Sequence, residues 1–538
     1  MEDVFVYPLK NSNEYKEIIN TICNKEGSLQ LNGLLDMQKP HITYSIFKEL
    51  ARPTLFIANS DLEAKKVYNE LCFYTKDKVE YLGSDEIYFY HLDAKDRNEE
   101  AKKLRVLLKL AKKQKTIVVT SVDAILRKYI PKNVLLDNIY TYKIGDIIDL
   151  EELSQKLVRL GYERVSRIEG LGQFSIRGGI IDIYSLEYTN PIRIELFDDE
   201  IDSIRTFDVF SQKSIEKIKK VVITPSREFI YPEDTTSAVE KIQLETNQYT
   251  DDDVFNNIEN IVQKTYFQGV ENYIDYLYEE NNKSIFSYLP DNAIVVMNDI
   301  SRLKERCENF VNEFNDNFNL NLERGLAIKN QGNLIYSYDE LPFLLENKNL
   351  IINSLLPKPV NGFSVTNIIN FDSREVPSYN SKLDVLVEDL NKLRYNGYKV
   401  ILAVNSTDRC KKLHKDLFDL GLEVAISKSR NIELKSSQIV IVPANLSKGF
   451  EYKSIKFQVI TDSEIIGVNK KVSKKSKKKK NKNGQKIESF LDLKIGDYVV
   501  HENSGIGRYT GIEQILVNGV KKDYLKIIYQ GGDNLYVP

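Results

Sequence analysis

Strand-like and helix-like patterns alternate along the first part of the chain. The run PTLFIANS at 53–60 is continuously apolar, as in a strand covered on both faces, and DLEAKKVYNEL then takes helical spacing behind Ser60 or Asp61 as a cap. The run TIVVTSVDAILRKYI at 116–130 repeats the order of strand, cap and helix. This alternation is typical of a sheet flanked by helices. It predicts an α/β domain over residues 1–145.

A smaller unit with a different pattern interrupts this domain. The helical stretch EELSQKLVRLGYERV gives way to two-residue alternation in FSIRGGIIDIYS and PIRIELFDDEIDSIRTFDV, which is typical of strands with one covered face. We predict an inserted α+β domain over 146–225. The first domain then resumes over 226–344 around the apolar run AIVVMNDI. Residues 345–468, with the strand-like runs KVILAVNS, QIVIVPAN and FQVITDS, predict a further α/β domain of unknown role.

The last part of the chain begins with a basic tract. Residues 470–486 contain ten lysines and no acidic residue, and we interpret 469–486 as an extended linker. Contact with nucleic acid is the alternative, which the lack of an interleaved aromatic residue for base stacking disfavours. Residues 487–538 contain five short strand-like runs separated by turn signals such as Asn518-Gly519. They predict a small SH3-like β-barrel.

The composition excludes several classes of protein. With 538 residues, 42% hydrophobic and 28% charged, the chain is expected to form several globular domains rather than a disordered or fibrous structure. The sequence contains no run of 18 uncharged apolar residues and no signal-peptide pattern at its start. We therefore expect a cytoplasmic protein that does not contact the membrane. Four dispersed cysteines without a CxxC pair disfavour structural zinc and a disulfide framework.

The motifs of nucleotide chemistry are absent from the sequence. A P-loop requires GxxxxGK[ST], because glycine amides cradle the phosphates while lysine and a hydroxyl engage phosphate and magnesium. The segment LNGLLDMQKPHITYS, where a helicase-like domain would carry this loop, has Gly33 alone. The strand that would present paired acids to magnesium ends in Asn298-Asp299, a poor metal site. No histidine accompanies a nucleophile motif. We expect no catalytic residue, metal or cofactor in this chain.

Two blocks resemble one protein family. Residues 173–212 closely resemble a block shared by the excision-repair helicase UvrB and the bacterial transcription-repair coupling factors. Residues 494–538 are similar to the RNA polymerase-interacting module of those coupling factors, a barrel also found in CarD-type regulators. The vestigial nucleotide site agrees with the coupling factors and disagrees with UvrB. The resemblance implies a degenerate helicase-like domain with an inserted UvrA-binding domain. It also implies that a motor using ATP and Mg for DNA translocation, and making most of the DNA contacts, follows residue 538.

The strand PIRIELF suggests a binding face without any appeal to the family. A period of two divides its side chains between two faces. On one face lie Ile192, Ile194 and Leu196, and on the other lie Arg193, Glu195 and Phe197. Because the first set is the natural core face, Phe197 is expected among charges on the solvent side, the composition of an interface hot spot. The alternative is that a neighbouring helix covers it.

The resemblance assigns roles to particular residues of this block. By position it implies that Arg177, Arg193 and Phe197 contact UvrA, with the two arginines offering forked donors to acidic groups of the partner. Gly178 and Gly179 are expected to serve the backbone geometry. We also expect that Arg193 and Phe197 are exposed anchors whose removal leaves folding almost unchanged.

The resemblance places the C-terminal module against the β subunit of RNA polymerase, sheet edge to sheet edge. Candidate polymerase contacts are Val499, His501, Glu502, Ile506 and Tyr509. A barrel this small must bury about half of them.

These expectations describe a non-catalytic, monomeric adaptor. It binds stalled RNA polymerase and recruits UvrA for nucleotide excision repair of the transcribed strand. One alternative is a UvrB-like ATP-dependent helicase, which a nucleotide titration would reveal. Another is a CarD-like transcription regulator without a repair role, which a UvrA pull-down would separate from the adaptor.

Overall fold

The computed structural model describes residues 3–467 and 496–537, with gaps at 25–26, 90–96, 281, 358–359, 361, 502–504, 518–519 and 529–533. The chain divides into two compact units, Met1–Asn469 and Lys470–Pro538. Within the described ranges, no helix has both the length and the apolar character needed to cross a bilayer. The lysine-rich tract predicted to be a linker lies outside the described residues.

The first part of the chain alternates strands and helices as predicted. In order these are α1 (Tyr7–Lys10), α2 (Asn13–Asn24), β1 (Ser28–Asn32), α3 (Gln38–Leu50), β2 (Thr54–Ala58), α4 (Asp61–Thr75), β3 (Val79–Leu82), α5 (Arg97–Ala111), β4 (Ile117–Ser121), α6 (Val122–Leu126), α7 (Lys132–Asp137) and β5 (Tyr140–Lys143). The strand and helix predicted at 53–71 are β2 and α4, and Ser60 Oγ accepts from the Glu63 amide at 3.3 Å. The predicted strand within 116–130 is β4.

The inserted part has its own elements, α8 (Leu150–Arg159), β6 (Glu163–Arg164), β7 (Gln173–Arg177), β8 (Ile180–Ile183), β9 (Ile192–Phe197), β10 (Glu200–Phe207), β11 (Ser214–Ile218) and β12 (Lys220–Ile223). After it follow α9 (Thr236–Glu245), α10 (Asp252–Val262), α11 (Ile274–Leu277), β13 (Ile294–Asn298), α12 (Ile300–Glu323), α13 (Leu341–Leu344), β14 (Asn349–Ser354) and β15 (Val365–Asn370).

The first sheet has seven strands in the order β15-β1-β14-β13-β2-β4-β3, and every pair in it is parallel. Both faces are covered, as its continuously apolar strands require. Along β13, Val295 and Met297 face one core, while Ile294 and Val296 face the other.

The predicted end of this domain at residue 344 is wrong. Strands β14 and β15 lie beyond that position, yet β14 pairs with β1 and β13, and β15 pairs with β1. The sheet therefore continues to residue 370. The pairings with β1 join segments more than 300 residues apart, so the local pattern does not show them.

The inserted domain is built on a six-stranded sheet in the order β11-β10-β9-β8-β7-β6, with helix α8 in the same core. Asp149 caps α8 and accepts from the amides of Glu151 and Glu152 at 2.8 and 3.0 Å. Strand β5 pairs with β12 where the chain enters and leaves the domain. The inserted unit therefore starts a few residues before the predicted position 146.

The next part contains β16 (Ser373–Arg374), α14 (Leu383–Tyr395), β17 (Lys399–Val404), α15 (Thr407–Asp419), β18 (Ala425–Ile426), β19 (Ile439–Pro443), β20 (Phe450–Tyr452), β21 (Phe457–Thr461) and α16 (Asp462–Ile466). Its sheet has the order β16-β20-β21-β17-β19-β18. One face of this sheet shares a hydrophobic core with the first sheet, and Ile401, Val440 and Val459 lie in the same cluster as Phe56. The two α/β sheets therefore form one body.

The second unit contains β22 (Tyr498–His501), β23 (Gly505–Val517), β24 (Val520–Ile528) and β25 (Asn534–Val537), which pair antiparallel in this order. The predicted turn at Asn518-Gly519 lies outside the described residues, but the flanking register pairs Val517 with Val520. Four strands are described where five were predicted, and closure into an SH3-like barrel is not seen in the part that the structure describes.

Candidate functional site

The loop after β1 keeps the length of a P-loop but not its chemistry. From Gly33 to Pro40 the sequence is GLLDMQKP, so Gln38, Lys39 and Pro40 occupy the positions of the motif's glycine, lysine and hydroxyl residue. Gly33 has a φ of +81°, and a Cβ there would lie 2.3 Å from the carbonyl oxygen of Phe371. Glycine is therefore required at this position by packing rather than by phosphate.

The side chains at these positions contact other groups of the protein. The buried side chain of Gln38 accepts from the Leu35 amide at 2.9 Å and donates to the Glu451 carbonyl at 3.0 Å. Lys39 forms an ion pair with Asp36 at 3.0 Å, and Pro40 has no hydroxyl for a metal ion. The residues at the glycine and lysine positions of the motif are thus engaged within the chain, and the residue at the hydroxyl position lacks the hydroxyl.

The position of the paired acids is also occupied by local contacts. Asn298 ends β13, is buried, and donates through Nδ2 to Glu63. Asp299 has a φ of +48° and lies 3.4 Å from Arg302. Among the described residues no group of three His, Cys, Asp or Glu side chains is arranged to hold a metal ion. One carboxylate beside an amide gives no paired ligand set for magnesium.

His41 joins the vestigial loop to the second α/β sheet. Its Nε2 lies 2.7 Å from the Phe5 carbonyl and its Nδ1 lies 3.1 Å from the Tyr452 hydroxyl. Since a carbonyl only accepts, Nε2 carries the proton and Nδ1 accepts from Tyr452. Burial lowers the pKa of His41 to about 4, because the charged imidazolium would lose its hydration. The residue is a structural histidine, as predicted.

The second candidate site is the outer face of the inserted sheet. Asp182 on β8 lies directly opposite Arg193 on β9, and only 1% of its side chain is exposed. Arg193 binds it in bidentate fashion, with Nε 2.6 Å from Oδ1 and Nη2 2.8 Å from Oδ2. Arg177 Nη2 donates to the same Oδ2 at 2.8 Å. Two of the three predicted UvrA contacts therefore share one buried carboxylate.

Arg193 is more enclosed than the sequence suggested. Its Nη2 also donates to Gln212 at 3.1 Å, and its guanidinium lies 4.4 Å from the ring centre of Phe207. The hydrogen bond with Asp182 raises the pKa of Arg193. Its side chain is 15% exposed. The expectation of an exposed Arg193 anchor is therefore wrong, because the side chain is mostly buried and its Nε and Nη2 donors are used within the domain.

Phe197 lies where the two-residue period places it. Ile192 and Ile194 are fully buried, whereas Phe197 is 80% exposed at the end of β9. No helix covers it in the part of the chain that the structure describes. This confirms the division of faces. Phe197 is the most exposed of the three predicted contacts, and Arg177 also keeps 50% of its side chain exposed.

The neighbouring glycines serve the backbone geometry, as predicted. Gly178 has a φ of +58° in the β7–β8 turn, and a Cβ on Gly179 would lie 3.1 Å from the Leu196 carbonyl oxygen. The sequence reasoning missed Asp182. The available signal was a single acid within the apolar strand IIDI.

The five predicted polymerase contacts are only partly described. Val499 and Tyr509 are buried together with Ile527, so these two side chains are core residues of the sheet. The backbones of His501 and Ile506 lie in β22 and β23, but their side chains lie outside the described residues, as does all of Glu502. The expectation that part of this set is core is confirmed for the two described side chains.

The fold and these sites define a class before any particular relative is considered. The UvrB interaction domain family matches residues 141–229, and the CarD-like/TRCF RID domain family matches residues 493–538. The chain therefore combines an α/β body, an inserted domain that matches the UvrB interaction domain family, and a C-terminal unit that matches the CarD-like/TRCF RID domain family.

Whole-chain relatives carry a common name. The transcription-repair-coupling factor of Bacillus subtilis is 33% identical over 98% of this chain and 46% of the relative. The protein of that name from Staphylococcus epidermidis is 27% identical over 100% of this chain and 46% of its own length. The chain is therefore a relative of the transcription-repair-coupling factors along nearly its whole length, and it spans about half the length of these relatives. A solved structure described as an XPD helicase covers 80% of the chain at 12% identity, with a TM-score of 0.23 that is too low to bear on the fold.

Proposed function

We propose that this chain is the adaptor part of a bacterial transcription-repair coupling factor. Its C-terminal unit binds stalled RNA polymerase through the β subunit, and its inserted domain recruits UvrA, so that nucleotide excision repair reaches the transcribed strand. The observation that supports this proposal is the occurrence of a UvrB-type interaction domain and a CarD-like domain in one chain related throughout to the coupling factors. The adaptor acts as a monomer in the cytoplasm.

The adaptor itself is not an enzyme in this proposal. The vestigial loop is filled by Gln38 and its contact with Glu451, and Asn298 replaces a carboxylate at the metal position. In the longer coupling factor, an ATP-dependent translocase would move on DNA and displace the polymerase. The role of the adaptor is to connect the two partners.

The experiment is a three-component binding assay. RNA polymerase is immobilised, and UvrA is added with or without the chain. We expect UvrA to be retained on the polymerase only when the chain is present. With the Phe197→Ala variant, UvrA is lost while the chain stays bound to the polymerase. A chain that binds polymerase but never retains UvrA contradicts the proposal and supports a CarD-like regulator instead.

A further inference from the structure

A second exposed apolar residue lies close to Phe197 on the same face of the inserted sheet. Ile147 forms an isolated antiparallel bridge with Glu200, and Glu200 is paired with Phe197 across the β9–β10 hairpin. Residues directly opposite each other on neighbouring strands point to the same face. Ile147, Glu200 and Phe197 therefore form a row across the sheet.

The hydrogen bonds and the burial pattern support this row. The Ile148 amide donates to the Asp199 carbonyl at 2.8 Å, and the Ile201 amide donates to the Asp146 carbonyl at 2.9 Å. These two bonds frame Ile147 and Glu200 as a non-hydrogen-bonded pair, the pair type in which side chains approach most closely. Ile148 and Ile201 are buried on the opposite face. Ile147 is 72% exposed, nearly as much as Phe197.

The row is open on its far side. Beyond Phe197 lies the β7–β8 turn, where a Cβ added to Gly178 would meet nothing within 4 Å. With neighbouring strands about 4.8 Å apart, Ile147 and Phe197 are separated by roughly 10 Å across Glu200. A partner can therefore contact both apolar side chains without displacing any residue of the domain.

The four exposed charged residues at the end of the β9–β10 hairpin are all acidic. They are Asp198, Asp199, Glu200 and Asp202, and none of them forms an ion pair with another residue that the structure describes. The arginines of the same face are paired within the domain, Arg177 and Arg193 with Asp182 and Arg205 with Glu195. A basic partner surface complements this acidic rim, and an acidic one is repelled by it.

We infer that Ile147 and Phe197 form a two-point apolar anchor that binds a basic surface of UvrA, with lysine or arginine side chains of UvrA pairing with Glu200 and the Asp198–Asp199 turn. The inference rests on the proposed recruitment of UvrA. It extends the contact surface to Ile147, which lies outside the block that suggested the arginines and Phe197. It also assigns this end of the surface to cations of the partner.

The apolar part is tested by affinity measurements with purified UvrA. Ile147→Ala and Phe197→Ala each weaken UvrA binding at least about tenfold, as expected for anchor residues, and leave the melting temperature unchanged. Leu244→Ala and Phe343→Ala are the matched controls, since both side chains are at least 80% exposed elsewhere in the chain. The controls keep full affinity. Full affinity of Ile147→Ala would overturn the two-point anchor.

The charge part is tested by neutralisation and salt. The triple variant Asp198→Asn, Asp199→Asn, Glu200→Gln binds UvrA at least about tenfold more weakly at about 50 mM NaCl, and its affinity changes less with added salt than that of the wild type. The control is a second triple variant, Glu305→Gln, Asp316→Asn and Glu323→Gln on α12, which changes the net charge by the same amount. These three side chains are also exposed. An unchanged affinity and salt dependence of the first triple variant would overturn the basic-partner inference.

The outcomes separate this inference from the function on which it rests. A wild-type chain that does not bind UvrA contradicts the proposed function and the inference together. A wild-type chain that binds UvrA through Phe197, but is indifferent to Ile147 and to the acidic rim, contradicts the inference alone.

Discussion

The ion pair with the buried Asp182 changes the role of Arg193 from a partner contact to a residue that also stabilises the sheet. From the sequence, its place beside Phe197 on the polar face could be predicted, and the structure confirms that face. The bidentate pairing of Arg193 with Asp182 could not be predicted from the sequence, because this contact depends on the register of β8 against β9. The guanidinium therefore stabilises the sheet and presents its remaining surface to solvent. Any contribution of Arg193 to UvrA binding is combined with its contribution to folding.

This arrangement changes the expected effect of removing Arg193. Arg193→Ala leaves the carboxylate of Asp182 buried with Arg177 as its remaining ion-pair partner, and we expect a loss of about 2–3 kcal/mol in the free energy of unfolding. Urea unfolding measures it. Combining Arg193→Ala with Asp182→Asn should cost less than the sum of the two single changes, since the double variant leaves no buried carboxylate. A melting curve of Arg193→Ala that coincides with the wild type would show that the ion pair does not form.

His41 predicts a pH dependence of stability. Its pKa is about 4 in the folded chain, below the ordinary value of 6.5, so the unfolded chain takes up the proton first as pH falls. The stabilisation is complete above about pH 6.5 and is lost progressively as pH falls toward 4, by up to about 3 kcal/mol. Urea unfolding at several pH values measures this loss. His41→Gln removes this part of the dependence, and an equally steep profile in that variant would assign the effect to other groups.

At the scale of the elements, the sequence predicted the strands better than their partners. Continuous apolar runs identified β2, β4 and β13, because strands covered on both faces need such runs. The assignment of β14 and β15 to a separate domain failed, since parallel neighbours in a sheet are set by long-range packing. The vestigial loop was recognised from its missing residues. The contact of Gln38 with Glu451 was not predicted, because this hydrogen bond joins residues 413 positions apart in the sequence.

Restoring the consensus residues of the P-loop motif should not restore nucleotide binding. Gln38→Gly together with Pro40→Thr converts GLLDMQKP into GLLDMGKT. We expect neither this variant nor the wild type to show a saturable signal with MgATP at micromolar concentrations. The second α/β sheet still covers the loop, and Asn298 still replaces a metal-binding carboxylate. Calorimetry measures the binding. Saturable binding of MgATP by the double variant would mean that the substitutions at positions 38 and 40 alone account for the absence of nucleotide binding.

At the scale of the whole molecule, the chain is one body of two α/β sheets with an inserted domain, and a separate C-terminal unit. The domain order could be predicted from the two family-like blocks. The shared core of the two sheets could not be predicted, because the hydrophobic pattern of a strand does not show which other sheet packs against that strand. This core suggests that residues 372–467 brace the first sheet around the vestigial loop.

The lysine-rich tract tests how the two units are coupled. If residues 470–486 serve as a linker, their replacement by a Gly/Ser segment of equal length leaves the affinities for UvrA and for RNA polymerase unchanged. Surface plasmon resonance measures both affinities. DNA binding that falls sharply on this replacement, together with a smaller salt dependence, would instead assign the lysines to phosphate contact.

The central claim is that the inserted sheet recruits UvrA through its exposed face while its other face forms the core. The most direct test compares Phe197→Ala with Ile194→Ala, measuring UvrA affinity and thermal unfolding for both. We predict that Phe197→Ala weakens UvrA binding by at least about 1–2 kcal/mol and unfolds at the wild-type temperature. Ile194→Ala should lose about 2–4 kcal/mol of stability through a core cavity. A folded Phe197→Ala variant that binds UvrA with wild-type affinity would contradict the claim.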